Sequence, residues 1–256
     1  MGSLEIKKDS GVIRLEIQKP EIHNAFDPGL IDELKTAFQQ IAINARAVLL
    51  SSQGDSFCAG ADLRWMKNMV NYSVEENRRD SLELFDMIHA IRTCPVPVVA
   101  RVHGPAIGGG AGLVSACDIA LAGPHARFGF TEVRLGLLPA IISPFVLEKI
   151  GRSAASRYFL SGETFSVTEA MRIGLINGLF ESDQDLDLGV EKLLSRLVKN
   201  GPTAMRECKK MILESSGRIL EERERVAGLI ARQRTSEEGQ EGMNAFLQKR
   251  TADFAD

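Results

Sequence analysis

The residues best suited to chemistry sit on three short segments. The first, His103-Gly104-Pro105-Ala106-Ile107-Gly108-Gly109-Gly110-Ala111-Gly112, follows the apolar run 96–102 and leads into the helix-like Leu113-Val114-Ser115-Ala116-Cys117. A strand that turns through glycines into a helix aims bare backbone N–H groups at one place, where the helix dipole helps them hold an anionic oxygen. The second, Phe57-Cys58-Ala59-Gly60-Ala61-Asp62-Leu63, is another small-residue turn after an apolar run, Ala47-Val48-Leu49-Leu50. The third, Phe128-Gly129-Phe130-Thr131-Glu132, carries a lone carboxylate. With Phe128, Phe130 and Val133 as neighbours, the Glu132 carboxyl is expected to have a raised pKa and to exchange a proton near neutral pH. Two backbone donors and one carboxylate are the minimum set for making and protonating an enolate.

Other chemistries fit these residues less well. A dinucleotide fingerprint needs a third glycine where this chain has Leu113, and no Gly-Lys-Ser/Thr follows to make a P-loop. Asp62 reads as the N-cap of a helix starting at Leu63. The four cysteines, Cys58, Cys94, Cys117 and Cys208, form no CxxC pair and read as small core residues. Cys58, beside a turn, has no evident partner base. His23, His89, His103 and His125 lack ligand spacing, so no metal site is expected.

The elements that must position these residues follow from periodicity. Residues 12–17 read as a strand, and Asp27 as the cap of a helix whose Leu30, Leu34, Phe38 and Ile41 share one face. Residues 63–91 read as helical with a break near Asn71-Tyr72-Ser73, where Ser73 and Glu76 suggest a capping box. Residues 118–122 read as a buried strand. Helices are expected over 145–150, 154–160 and 168–173, with Gly151 as a break. From Asp185 onward the pattern is helical and charge-rich, punctuated by Pro202, Gly217 and Gly239. An α/β catalytic core over 1–184 with a helical extension over 185–256 is the economical organisation.

The 256 residues carry 44% hydrophobic and 25% charged side chains and a net charge of −3. That balance fits a globular protein and argues against a nucleic-acid surface. No apolar run spans a bilayer, and residues 1–8 lack a secretory apolar stretch, so a cytoplasmic protein with no membrane partner is expected.

Taken together, Asn24-Ala25-Phe26, the 57–63 turn, Gly104 to Gly110, Cys117-Asp118-Ile119-Ala120, Phe128 to Pro139 and Phe246-Leu247-Gln248-Lys249-Arg250 resemble the crotonase (enoyl-CoA hydratase/isomerase) superfamily. The resemblance implies a spiral of ββα units with a C-terminal helical trimerisation region, and a homotrimer or a dimer of trimers. It implies an acyl-CoA thioester substrate, with CoA entering as part of the substrate and no other cofactor. The N–H groups of Ala59 and Gly109 would form the oxyanion hole, and Glu132 would be the catalytic acid/base. Ala25 and the run Ala59, Gly60, Ala61, Asp62 and Leu63 would line the CoA path. Phe246 and Lys249 would contact CoA, from a neighbouring subunit.

One departure bears on the reaction. Two-acid hydratases of this superfamily carry an earlier Glu at the position of Gly112, which has no side chain. Hydration with Glu132 as the main acid/base and isomerisation with Glu132 as a single proton shuttle both survive, as does a catalytically silent binding protein. The run 132–145 and Gly112-Leu113 resemble bacterial methylglutaconyl-CoA hydratases of leucine breakdown. A dicarboxylic substrate would bring its own distal carboxylate to help position water where Gly112 leaves space.

Overall fold

A computed structural model describes residues 2–41, 45–215 and 219–253. The chain begins with β1 (Leu4–Asp9), β2 (Val12–Ile17), α1 (Pro28–Gln39) and β3 (Ala47–Ser52). It continues through α2 (Leu63–Met69), α3 (Val74–Arg92), β4 (Val98–Val102), β5 (Ala106–Ile107), α4 (Gly109–Ala116), β6 (Ile119–Ala122) and β7 (Arg127–Gly129). After α5 (Ser143–Ser161), β8 (Thr164–Ser166), α6 (Val167–Arg172) and β9 (Gly178–Leu179) come α7 (Asp183–Lys199), α8 (Pro202–Ser215), α9 (Arg223–Arg234) and α10 (Glu237–Leu247).

The strands form a six-stranded sheet, ordered β1-β2-β3-β4-β6-β9, and a three-stranded sheet, β5-β7-β8. The larger sheet is parallel apart from the β1–β2 pair. Its middle strands are apolar on both faces because both faces are covered. Val48, Leu50, Val98 and Ala100 enter the main core, while Ala47, Leu49, Val99 and Leu121 face Leu186, Val190 and Leu194 of α7.

The expected strand-to-helix turn is more elaborate than a single strand. The chain leaves the large sheet at Val102, turns through Gly104-Pro105, and pairs β5 with β7 of the small sheet before α4 begins. Caps match expectation: Asp27 Oδ1 accepts from Leu30 N, Asp62 caps α2, and Ser73 and Glu76 close a capping box on α3. Gly151 breaks α5 with φ 71° and ψ 168°, a conformation open essentially to glycine. Gly239 does not punctuate: it lies in the first turn of α10, packed against the Gln233 carbonyl, and the break falls at Thr235-Ser236. Gly217 lies outside the described residues. Cys58, Cys94 and Cys117 are buried as expected, whereas Cys208 is exposed on α8, whose solvent-facing side carries it.

Candidate active site

The site is built where three loops lie side by side. Phe26 N–H donates to Gly60 O and Asp62 N–H to Phe26 O, each at 2.7 Å, and Ile107 N–H donates to Cys58 O at 3.0 Å. The buried Asn24 fixes the first loop: its Nδ2 donates to Gln53 O and Ser56 O, and its Oδ1 accepts from Lys19 N. Glycine is required where these loops touch. A Cβ at Gly110 would collide with the Cys58 carbonyl, and one at Gly109 would stand 2.7 Å from the Phe26 ring.

The lacing decides which N–H groups are free. Ala59 N–H donates to His23 O at 3.0 Å, so this expected oxyanion donor is already engaged. Ala61 N–H has no acceptor among the described residues, because in the Phe26–Ala61 bridge the flanking Gly60 and Asp62 make the bonds. Gly109 N–H, in the first turn of α4, is also unpaired among the described residues, as helix geometry dictates. Both residues line the same cavity. The structure thus offers Ala61 with Gly109 in place of Ala59 with Gly109. The signal lies in Gly60, whose φ of 92° bends the chain between Ala59 and Ala61 and turns their N–H groups in different directions.

Glu132 stands over this turn. Gly108 adopts φ 55° and ψ −120°, and a Cβ there would lie 3.2 Å from Glu132 Oε1. Glu132 begins a short 3-10 turn, Glu132–Leu135, and its Oε2 is buried with no hydrogen-bond partner. Burial pushes its carboxyl up to about 7. The other lining carboxylates are committed or exposed: Asp62 Oδ1 accepts from Arg64 N and Trp65 N, and Glu21 is at the surface. An enclosed carboxyl without a counter-charge, next to free N–H donors, can move a proton at a carbon whose charge those donors stabilise.

The space expected at Gly112 does not exist. A Cβ there would collide with Ile142 Cγ2 and stand 3.6 Å from Ile88 Cδ1. Ile142, at the N-terminus of α5, fills the place a second carboxylate would occupy, and an apolar methyl gives water no anchor there. Cys58 is no nucleophile, since burial pushes its thiol up to about 12.

The cavity measures about 800 Å³. Ala25, the run from Ala59 to Leu63, Gly109, Glu132 and Phe246 all line it, and Lys249 does not. Phe246, expected to reach a neighbour's ligand, also lines the cavity of its own chain. Sequence reasoning passed over Trp65 and Arg234, which also line it. Nothing in sequence separates Arg234 from the other cations of a charge-rich helix. No group of three or more potential metal ligands occurs among the described residues.

The chain is similar to known proteins over nearly its whole length. The enoyl-CoA hydratase/isomerase family model matches residues 7–256. A relative from Thermus thermophilus is 35% identical over 241 residues, covering 93% of this chain and 95% of that one. The 2,3-dehydroadipyl-CoA hydratase of Escherichia coli is 30% identical over 262 residues, covering 99% of each chain. The crystal structure of an enoyl-CoA hydratase from Mycobacterium avium superposes with a TM-score of 0.85 at 34% identity, over 98% of each chain.

Proposed function

Since the chain belongs to the enoyl-CoA hydratase/isomerase family, we propose that it adds water across the 2,3 double bond of an enoyl-CoA thioester, giving a 3-hydroxyacyl-CoA. The carrying observation is Glu132, whose Oε2 is buried without a partner, in the same cavity as the free N–H groups of Ala61 and Gly109. The thioester oxygen sits between those two donors. Glu132 as carboxylate takes a proton from water as its oxygen bonds to C3, and the electron pair of the double bond moves onto the thioester as an enolate. The protonated Glu132 then returns a proton to C2. A carboxyl titrating near 7 has both forms present at neutral pH, as this cycle needs. Each oxyanion donor contributes about 3 kcal/mol of transition-state stabilisation in comparable sites.

For the acyl group we propose a chain ending in a carboxylate, of which 3-methylglutaconyl-CoA in leucine breakdown is the candidate the sequence resemblance suggests. The relative named for 2,3-dehydroadipyl-CoA, also a diacid thioester, supports the class. The assembly is a homotrimer or a dimer of trimers in the cytoplasm, and CoA is needed only as part of the substrate. Among the described residues no helix is long and apolar enough to cross a membrane.

Ile142 at the second-acid position favours one other reading. With no carboxylate there to hold water, Glu132 alone would carry a proton from C2 to C4 of a 3-enoyl thioester. Proton NMR of the products formed in heavy water from crotonyl-, 3-hexenoyl- and 3-methylglutaconyl-CoA separates the two. A 3-hydroxyacyl product is expected; a shifted double bond without a hydroxyl would replace hydration by isomerisation.

A further inference from the structure

The wall around Glu132 is apolar, with Met66, Met69, Leu137, Ile141, Ile142 and Ile230 lining the cavity. Four arginines also line it: Arg64, Arg134 and Arg250 are exposed, and one is buried. Arg234, at the C-terminal end of α9, lines the cavity and is 7% exposed. Its bonds leave it under-used. Nη1 donates to Ser81 Oγ at 3.2 Å and lies 3.7 Å from Asp80 Oδ2, both on α3. Nε is buried with no partner, and Nη2 has no acceptor among the described residues.

Two more orphans stand in the same cluster. Trp65 Nε1 and Asp80 Oδ2 are both buried without a hydrogen bond. Trp65 lines the cavity as well, and its indole faces the Asp80 carboxyl. Burial pushes Asp80 up and Arg234 down, the shifts expected of an ion pair that is desolvated but poorly joined. Buried donors normally find acceptors, and a buried guanidinium normally holds a carboxylate in fork geometry. The acceptor lacking here is one that enters through the cavity.

We infer that Arg234, with Trp65 Nε1–H, binds a carboxylate at the far end of the substrate's acyl chain. This rests on the proposal that the cavity holds an acyl-CoA thioester. It replaces the expectation that a distal carboxylate fills space at Gly112: the acid is held by Arg234, and its task is recognition. A monocarboxylic acyl chain leaves the same donors unpaired, so the pocket discriminates against it.

The test compares glutaryl- and adipyl-CoA with valeryl- and hexanoyl-CoA by calorimetry, in wild type, Arg234→Met, Arg234→Lys and Asp80→Asn. Saturated esters bind without reacting, so the result stands whatever the reaction proves to be. Wild type should bind one diacid ester at least 10-fold more tightly than its equal-length monoacid ester. Arg234→Met should erase roughly 100-fold of diacid affinity while sparing the monoacid esters, and Arg234→Lys should keep part of the preference. Asp80→Asn should increase it by removing the competing acid. Equal binding of diacid and monoacid esters by wild type, or parallel losses for both in Arg234→Met with the fold intact, would overturn the inference. Turnover of crotonyl-CoA reports separately on the proposed activity, so either idea can fall without the other.

Discussion

Glu132 has its carboxyl enclosed and no cation to hold its charge. The folded protein therefore binds the proton more tightly than the unfolded chain does, with a folded pKa of about 7 against an ordinary value of 4.5. The sign follows from linkage. The stability this group allows is fully present below about pH 4.5 and is lost as pH rises through about 7. Glu132→Gln, which keeps the shape without the charge, should be more stable than wild type at pH 8.5 by up to about 3 kcal/mol. Near pH 4.5 the two should unfold alike. Urea denaturation at both pH values measures this, and a pH-independent difference would mean that the carboxyl does not titrate in this range. Turnover should fall by at least roughly 100-fold in the same variant, with binding of saturated CoA esters retained.

At the scale of elements, α4 and the N-terminus of α5 press together where a second acid would stand. Gly112→Glu drives a side chain into Ile142 and Ile88, and an overpacked core loses about 1–3 kcal/mol or more. Adding Ile142→Ala opens that place, so the double variant should unfold at a higher temperature than the Gly112→Glu single, and calorimetry of the pair decides it. If the double variant is the less stable, Ile142 is not what excludes the acid. This pairing also marks the limit of the sequence. The helices were legible because apolar spacing and caps are local: Asp27, Asp62, Ser73-Glu76 and the Gly151 break all act within a few residues. The strands β5, β7, β8 and β9 were not, since two or three residues show no alternation. Nor was β1, an edge strand whose Ile6 is exposed among charges. Glu132 was legible from its aromatic neighbours. The filling of Gly112 by Ile142, 30 positions on, is a tertiary fact that no spacing carries.

The whole molecule divides the site between its two ends. The free N–H groups come from loops anchored on the sheets, whereas the turn carrying Glu132 is gripped by the C-terminal helices. Gln233 Nε2 donates to Gly136 O at 2.6 Å, and Leu137 N–H closes the turn onto Glu132 O at 3.0 Å. Gly242 of α10 lies against Leu135 so closely that a Cβ would collide with its carbonyl. The distance between carboxyl and oxyanion donors is thus set by how α10 seats, far along the chain from either. Gly242→Ala should lift α10 off the turn and displace Glu132, lowering kcat by roughly 10-fold or more, since small misplacements of a catalytic group are costly. KM for the ester should change less, because Ala61 and Gly109 are untouched. Gly228→Ala on the neighbouring α9 is the matched control. Its Cβ meets only the flexible end of Arg232, at 3.3 Å, so better helix propensity should stabilise it by about 0.5–1 kcal/mol with kcat unchanged. Steady-state kinetics with melting temperatures on both variants separates the cases. A Gly242→Ala enzyme with wild-type kcat would show that the C-terminal helices cover the site without positioning its acid.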